Sequence, residues 1–301
     1  MKVGITVPMA DELTGPAPRW PEIREAALWA EEAGFDSIWL FDHLLMRWDE
    51  TATAGIWEIW TLLSALAEAT DRVELGTLVV CTAFRNPALL AKMADAVDEV
   101  SGGRLILGLG AGWHQPEFDA FGYPFDHLAS RFEEALAIVA PLVRTGAVDF
   151  RGTYHEASNC VSLPRGPRPD GPPIMIGAFG PRMLRLTARH ADAWNTCWHG
   201  TPERFREERA AMIAACEDVG RDPESLAVTV GVGVVFPDLA PGTPLETPEP
   251  SKALSGSPEE IAAGLRAYRD EGVDTVVVSP MPANLDAMRR VGDALRILRA
   301  S

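Results

Sequence analysis

The sequence is poor in the residues that build metal centres and covalent cross-links. It has 4 cysteines, Cys81, Cys160, Cys197 and Cys216, scattered with no CxxC pair among them. A disulfide framework or thiolate metal site is therefore not expected, and a reducing cytoplasmic setting fits best. The 6 histidines show no HxH or HExxH spacing, so no zinc site is read. There is no GxSxG elbow for a serine nucleophile. No apolar run approaches the ~18 residues of a membrane span. The opening Met1-Lys2-Val3-Gly4-Ile5-Thr6-Val7-Pro8 reads as a strand rather than a signal peptide. Basic residues are also in deficit: 27 against 43 acidic ones give a net charge of −16. Such a surface repels nucleic acid and anionic membranes, although a pocket can carry the opposite local charge.

Apolar residues make up 47% of the 301, enough for a full core. Short β-rich runs alternate with helical patterns along the chain. The predicted strands are Lys2 to Pro8, Ser37 to Phe41, Val73 to Val80, Leu105 to Leu109, Ile174 to Gly177, Ala193 to Asn195, Leu226 to Phe236 and Thr275 to Ser279. Helices are predicted over Pro21–Ala33, Ile56–Ala69, Pro87–Val100, Ala129–Arg144, from Pro181, over Pro202–Val219, from Ser257 and over Leu285–Arg299. Trp113 to His127 reads as loop and Val148 to Leu163 as an inserted hairpin. Ser257-Pro258-Glu259-Glu260 is a capping box with proline at the first helical position. Continuous Val/Ile/Leu strands joined by helices call for a parallel sheet covered on both faces. An open doubly wound sheet is the rival. Eight units without a composition break favour one closed (β/α)8 barrel over residues 1–301, with insertions after the fourth and seventh strands.

In such a barrel the chemistry lies just after the strands. Asp42-His43 follows the second strand, and a histidine can exchange a proton near neutral pH. Gly108-Leu109-Gly110-Ala111-Gly112-Trp113-His114 ends the fourth, its glycines letting backbone approach a ligand. It is not GxGxxG, so a Rossmann reading fails. Gly177-Ala178-Phe179-Gly180-Pro181-Arg182-Met183 runs from a strand into a helix start. With Arg182 and Arg185 nearby it makes an anion site suited to a cofactor phosphate.

Together these pieces resemble the luciferase-like monooxygenase superfamily, and within it the oxidoreductases that use the deazaflavin coenzyme F420. The resemblance spans nearly the whole chain. It rests on Ala33-Gly34-Phe35-Asp36-Ser37-Ile38-Trp39 leading to Asp42-His43, and on Leu75-Gly76-Thr77 with Arg85-Asn86-Pro87. Ser101-Gly102-Gly103-Arg104 with Gly108 to Trp113, Pro173 to Gly177 and Ala191-Asp192-Ala193-Trp194-Asn195 complete it.

The resemblance implies that His43 is a proton donor beside the reactive ring and that Asp42 contacts the cofactor. It implies a cis peptide between Leu78 and Val79 behind the ring. Cys81, Ala111 and Gly112 would flank the ring or ribityl chain, and Phe179, Gly180, Arg182 and Met183 would hold the phosphate. Cys197 and Trp198 would lie near the substrate or the cofactor tail, and Trp113 and His114 would line the mouth. Trp113 is a departure. Some sugar dehydrogenases of the superfamily carry a glutamate base there, and neither His114 nor Glu117 is assigned in its place. An aromatic at that position suggests an apolar or aromatic substrate wall.

Two cofactor readings follow. Coenzyme F420 would support hydride transfer to or from a small organic substrate, and a basic groove around Arg85, Arg182 and Arg185 would favour its acidic tail. FMN would support a monooxygenase supplied by a partner reductase. A flavin-binding barrel without turnover is the reading of another class. The resemblance also implies a homodimer. The Pro/Gly-rich stretch from Pro237 to Gly256 is expected to be a lid.

Overall fold

The computed structural model describes residues 1–12, 15–48, 52–241 and 253–300. Eight parallel strands close into a ring: β1 (Lys2–Thr6), β2 (Ser37–Leu40), β3 (Glu74–Thr77), β5 (Leu105–Gly110), β8 (Ile174–Gly177), β9 (Ala193–His199), β10 (Ala227–Val235) and β12 (Thr275–Met281). The ring closes where β12 pairs with β1, Val278 lying opposite Ile5. Two short strands, β4 (Val80–Cys81) and β11 (Ala253–Leu254), extend the rim. The chain is therefore a (β/α)8 barrel, as its alternation of strand and helix patterns indicates.

The helices packed outside are α1 (Trp20–Glu32), α2 (Ile59–Ala69), α3 (Pro87–Val100), α5 (Leu128–Thr145), α6 (Pro181–His190), α7 (Glu203–Asp218), α8 (Pro258–Asp270) and α9 (Leu285–Ala300). Local chemistry explains their starts. Asn86 caps α3 by accepting the Ala88 and Leu89 N–H groups at 2.9 and 3.1 Å, with proline next. Ser257 and Glu260 form the predicted capping box of α8. Each such cap contributes about 1 kcal/mol. In α1 the buried face is Ile23, Ala26, Ala27 and Ala30, a helical spacing that turns one stripe onto the sheet.

The structure differs most from the sequence reading at four places. Residues 113–127, which the sequence predicts as loop, contain a further helix, α4 (Gln115–Phe121), closed by Gly122 at φ 76°. Seven residues are too few for periodicity to declare itself. α2 starts at Ile59 rather than Ile56, because Glu58 accepts the Thr61 N–H and caps it there. The sixth barrel strand continues to His199. The third run is interrupted by a cis peptide at Leu78–Val79 and resumes as β4. The inserted hairpin is present as the antiparallel pair β6 (Ala147–Arg151) and β7 (Glu156–Val161), separate from the barrel. Most of the expected lid, 242–252, lies outside the described residues.

Two packed layers hold the ring. The larger lies between sheet and helices and includes Ile5, Ile38, Leu107, Ile176, Val232 and Val278. The smaller fills the barrel itself: Trp39, Met175 and Val277, with Ile106 and Ala193 against them. Trp39 is 1% exposed and donates its indole N–H to Ser37 at 2.8 Å. Glycine on both neighbouring strands makes room for it, since a Cβ on Gly4 or Gly76 would overlap the indole. Leu78 and Val79 rest on this plug. They form the floor of the mouth at the carboxyl ends of the strands.

Candidate active site

The floor is apolar, and glycines on the neighbouring strands make room for Val79 in it. A Cβ on Gly110 would come within 2.5 Å of Val79, and one on Gly177 within 3.2 Å. Leu78, Val79, Ala111 and Gly112 are all partly exposed here. Cys81 lies deeper, 4% exposed, packed with Phe84 and Phe118. A broad apolar floor of this kind suits the face of a flavin-type ring.

Asp42 and His43 diverge at the end of β2. Asp42 is buried, and both of its carboxylate oxygens are taken by the protein. Arg85 donates to them at 2.6 and 3.0 Å and the Cys81 N–H at 2.9 Å. Arg85 also pairs with Glu58 at 2.8 Å. Burial alone would lower the guanidinium's pKa, but the bonds to Asp42 and Glu58 outweigh it and raise it. This clamp ties the end of β2 to the turn after β4.

His43 turns the other way. Its Nδ1 is hydrogen-bonded to Glu117 Oε1 at 2.9 Å, and the Leu44 N–H donates to Oε2 at 2.8 Å. The Glu117 side chain is 2% exposed and that of His43 17%. The Nε2 of His43 has no hydrogen-bond partner among the described residues. The sequence gives Glu117 no role, because its partner is 74 positions away and the helix that carries it has no periodic signature.

Trp113 and His114 stand beside His43. The Trp113 ring meets the imidazole edge-on, centroids 5.6 Å apart at 83°. Trp113 is 56% exposed and Trp48 59%, with their rings 5.7 Å apart. They make one aromatic wall. His114 sits behind it, 5% exposed, accepting the Arg47 N–H on Nε2 at 3.1 Å. Burial lowers its pKa, with Glu117 opposing and His43 assisting. A neutral imidazole is what an accepting Nε2 requires. Across the mouth Trp198, at φ 66°, stacks on Phe41 with centroids 6.4 Å apart. Burial pushes the neighbouring Cys197 thiol up to about 12 and the Cys81 thiol upward as well. Both stay protonated at neutral pH, so neither is a thiolate nucleophile.

The turn after β8 feeds α6 through Gly180, at φ 76°, which places no side chain over the first N–H groups of the helix. Phe179 is half exposed and Met183 packs toward the core. Arg182 is turned to Glu133 and Ser130. Two of the three arginines expected in a basic groove, Arg85 and Arg182, are thus paired with carboxylates of the chain. Arg185 lines a cavity of about 340 Å³ with Phe179, Gly180, Leu184 and Trp194. That cavity lies between α6 and α7 and borders the turn after β8, but not His43. Among the described residues no group of His, Cys, Asp and Glu could hold a metal ion.

The family profile described as luciferase-like monooxygenase matches residues 1–238. The chain is 30% identical over 291 residues to pyrimidine monooxygenase RutA of Klebsiella pneumoniae (strain 342), covering 88% of this chain and 75% of that protein. It is 33% identical over 223 residues to a phthiodiolone/phenolphthiodiolone dimycocerosates ketoreductase of Mycobacterium bovis (strain BCG / Pasteur 1173P2), covering 67% and 58% respectively. Among solved structures, an F420-dependent secondary alcohol dehydrogenase in complex with an F420-acetone adduct superposes with a TM-score of 0.79. It is 18% identical and covers 99% of both chains, a likeness of fold.

Proposed function

The chain belongs to the luciferase-like monooxygenase family, a family of oxidoreductases, and from that premise we propose that it transfers hydride between coenzyme F420 and a small organic alcohol or carbonyl compound. The observation that carries this reading is the His43–Glu117 pair beside the apolar floor of Leu78 and Val79. Reducing a carbonyl requires a hydride at carbon and a proton at oxygen. A bound deazaflavin supplies or accepts the hydride. His43 supplies the proton from Nε2, or takes it back from a hydroxyl when the reaction runs in reverse.

The other residues bind and orient. Leu78 and Val79 support one face of the ring, and Ala111 and Gly112 border it. The uncapped N–H groups that open α6, with Phe179, Gly180, Arg182 and Met183, receive the phosphate. Trp113 and Trp48 offer the substrate an apolar wall, and His114 backs that wall. Cys197 and Trp198 close the opposite side.

The second reading, an FMN-dependent monooxygenase fed by a partner reductase, is favoured by two observations. The relative that covers 88% of this chain is named a monooxygenase, and the pairing of Arg85 and Arg182 leaves less free basic surface for an acidic cofactor tail. A titratable, oriented histidine at the mouth speaks against a barrel that binds flavin without turnover. No helix among the described residues is long and apolar enough to cross a membrane. Homodimer assembly and a cytoplasmic setting belong to the proposal.

Titration with oxidised coenzyme F420 and, separately, with FMN, followed by ring fluorescence, tests the reading. Micromolar F420 binding with weak FMN binding supports hydride transfer. The reverse preference moves the chain to the reduced-flavin monooxygenases.

A further inference from the structure

We propose that Glu117 is the positioning residue that fixes the tautomer of His43, keeping the proton on Nδ1 and the lone pair of the neutral ring on Nε2. The proposal deepens the reading of His43 as a proton carrier and rests on it for its catalytic consequence. The structural part stands on hydrogen bonding alone.

Each oxygen of the Glu117 side chain has one nitrogen partner. Leu44 N–H reaches Oε2 at 2.8 Å and His43 Nδ1 reaches Oε1 at 2.9 Å. A backbone N–H can only donate, so Oε2 must be an acceptor. With a carboxylate at this position, Oε1 is an acceptor as well. Nδ1 then carries the ring proton, and Nε2 is left to accept a proton or, once protonated, to give it back. The Glu117 residue is 1% exposed, so little water competes for either oxygen. Trp113 against one side of the imidazole and His114 near it limit rotation of the ring.

The Leu44 N–H makes the arrangement directional. In Glu117→Gln the side chain keeps its shape, but its two ends differ. The Leu44 N–H selects the amide oxygen, which leaves the amide NH2 facing Nδ1. That group can only donate. Nδ1 must then accept, and the proton of the neutral ring moves to Nε2. An isosteric change of one atom type should therefore invert the tautomer while retaining both hydrogen bonds.

The experiment uses the full chain with 15N-labelled histidine imidazoles, assigned by His43→Gln, at a pH where the ring is neutral. The nitrogen shifts distinguish the protonated from the bare ring nitrogen. Wild type is expected to carry the His43 proton on Nδ1, and Glu117→Gln on Nε2. Once a turnover assay exists, Glu117→Gln should lower kcat about a hundredfold or more in the direction that needs Nε2 to accept a proton, with KM little changed. A wild-type ring protonated on Nε2 would overturn the proposal, whether or not the variant folds. An unchanged tautomer in a folded Glu117→Gln would overturn it too. An inverted tautomer with undiminished turnover would support the positioning role and instead remove His43 from the chemistry.

Discussion

Asp42 holds Arg85 through both carboxylate oxygens, at 2.6 and 3.0 Å, next to the residue that faces the mouth. The Asp42 side chain is 1% exposed and that of Arg85 10%. Removing Arg85 leaves the Asp42 carboxylate buried without its cation, which costs about 3–5 kcal/mol, whereas removing Asp42 leaves Arg85 its second partner, Glu58. Arg85→Ala is expected to lose stability of that order in urea unfolding, and Asp42→Ala less. The double variant is expected to lose clearly less than their sum, because the second truncation removes the stranded charge. Strict additivity would show that the clamp is not a coupled pair.

His43 has a separable role. His43→Ala is expected to lower kcat by about 10²–10⁴ while cofactor affinity, read by fluorescence titration, changes only a few-fold. Equal losses in turnover and affinity would assign the ring to binding.

The buried His114 imidazole gives stability a pH dependence. Its native pKa lies below the usual value because burial disfavours the charged ring. The unfolded chain therefore binds a proton that the native state refuses. The contribution from His114 is complete above about pH 6.5 and is lost as the pH falls toward the lower native pKa. Protonation also removes the acceptor for the Arg47 N–H, next to Trp48. Urea midpoints at several pH values should decline below neutrality in wild type and decline less in His114→Gln. Tryptophan fluorescence should report the loosening at Trp48 and Trp113. Identical pH profiles for the two proteins would place the effect elsewhere.

Gly108 is a test of the ring beneath the site. Thr77 Oγ1 accepts the Gly108 N–H and donates to its carbonyl, both at 2.8 Å. A Cβ on Gly108 would overlap the Thr77 carbonyl oxygen. Backbone cannot yield as a side-chain tip can, so Gly108→Ala is expected to cost 3 kcal/mol or more, at or above the ~1–3 kcal/mol of ordinary overpacking. Circular dichroism melts of Gly108→Ala beside Gly180→Ala would check it. Gly180 has open space around it but a φ of 76°, so its variant separates backbone strain from collision.

The ring was legible because its signals are local. Asn86-Pro87 and Ser257-Pro258-Glu259-Glu260 announce helix starts within four residues, and the strand ends place Asp42, His43 and Trp113 at one mouth. What escaped depends on distant partners. Nothing near Asp42 names Arg85, 43 positions on, and nothing near His43 names Glu117. Trp39 reads as one more apolar strand residue. Its place inside the barrel follows from Gly4 and Gly76 on the neighbouring strands, a relation that pairing creates.

The helix carrying Glu117 belongs to the excursion between β5 and α5, not to the repeating strand–helix units. Such excursions are ordinarily the exchangeable part of a barrel, free to drift in length and composition while the ring persists. Here the excursion reaches back to the end of β2 and grips two consecutive residues of it. Natural variants or chimaeras that replace Gln115–Phe121 would inherit an intact barrel with an untethered imidazole, so the segment most open to change by its position is closed to it by its attachment.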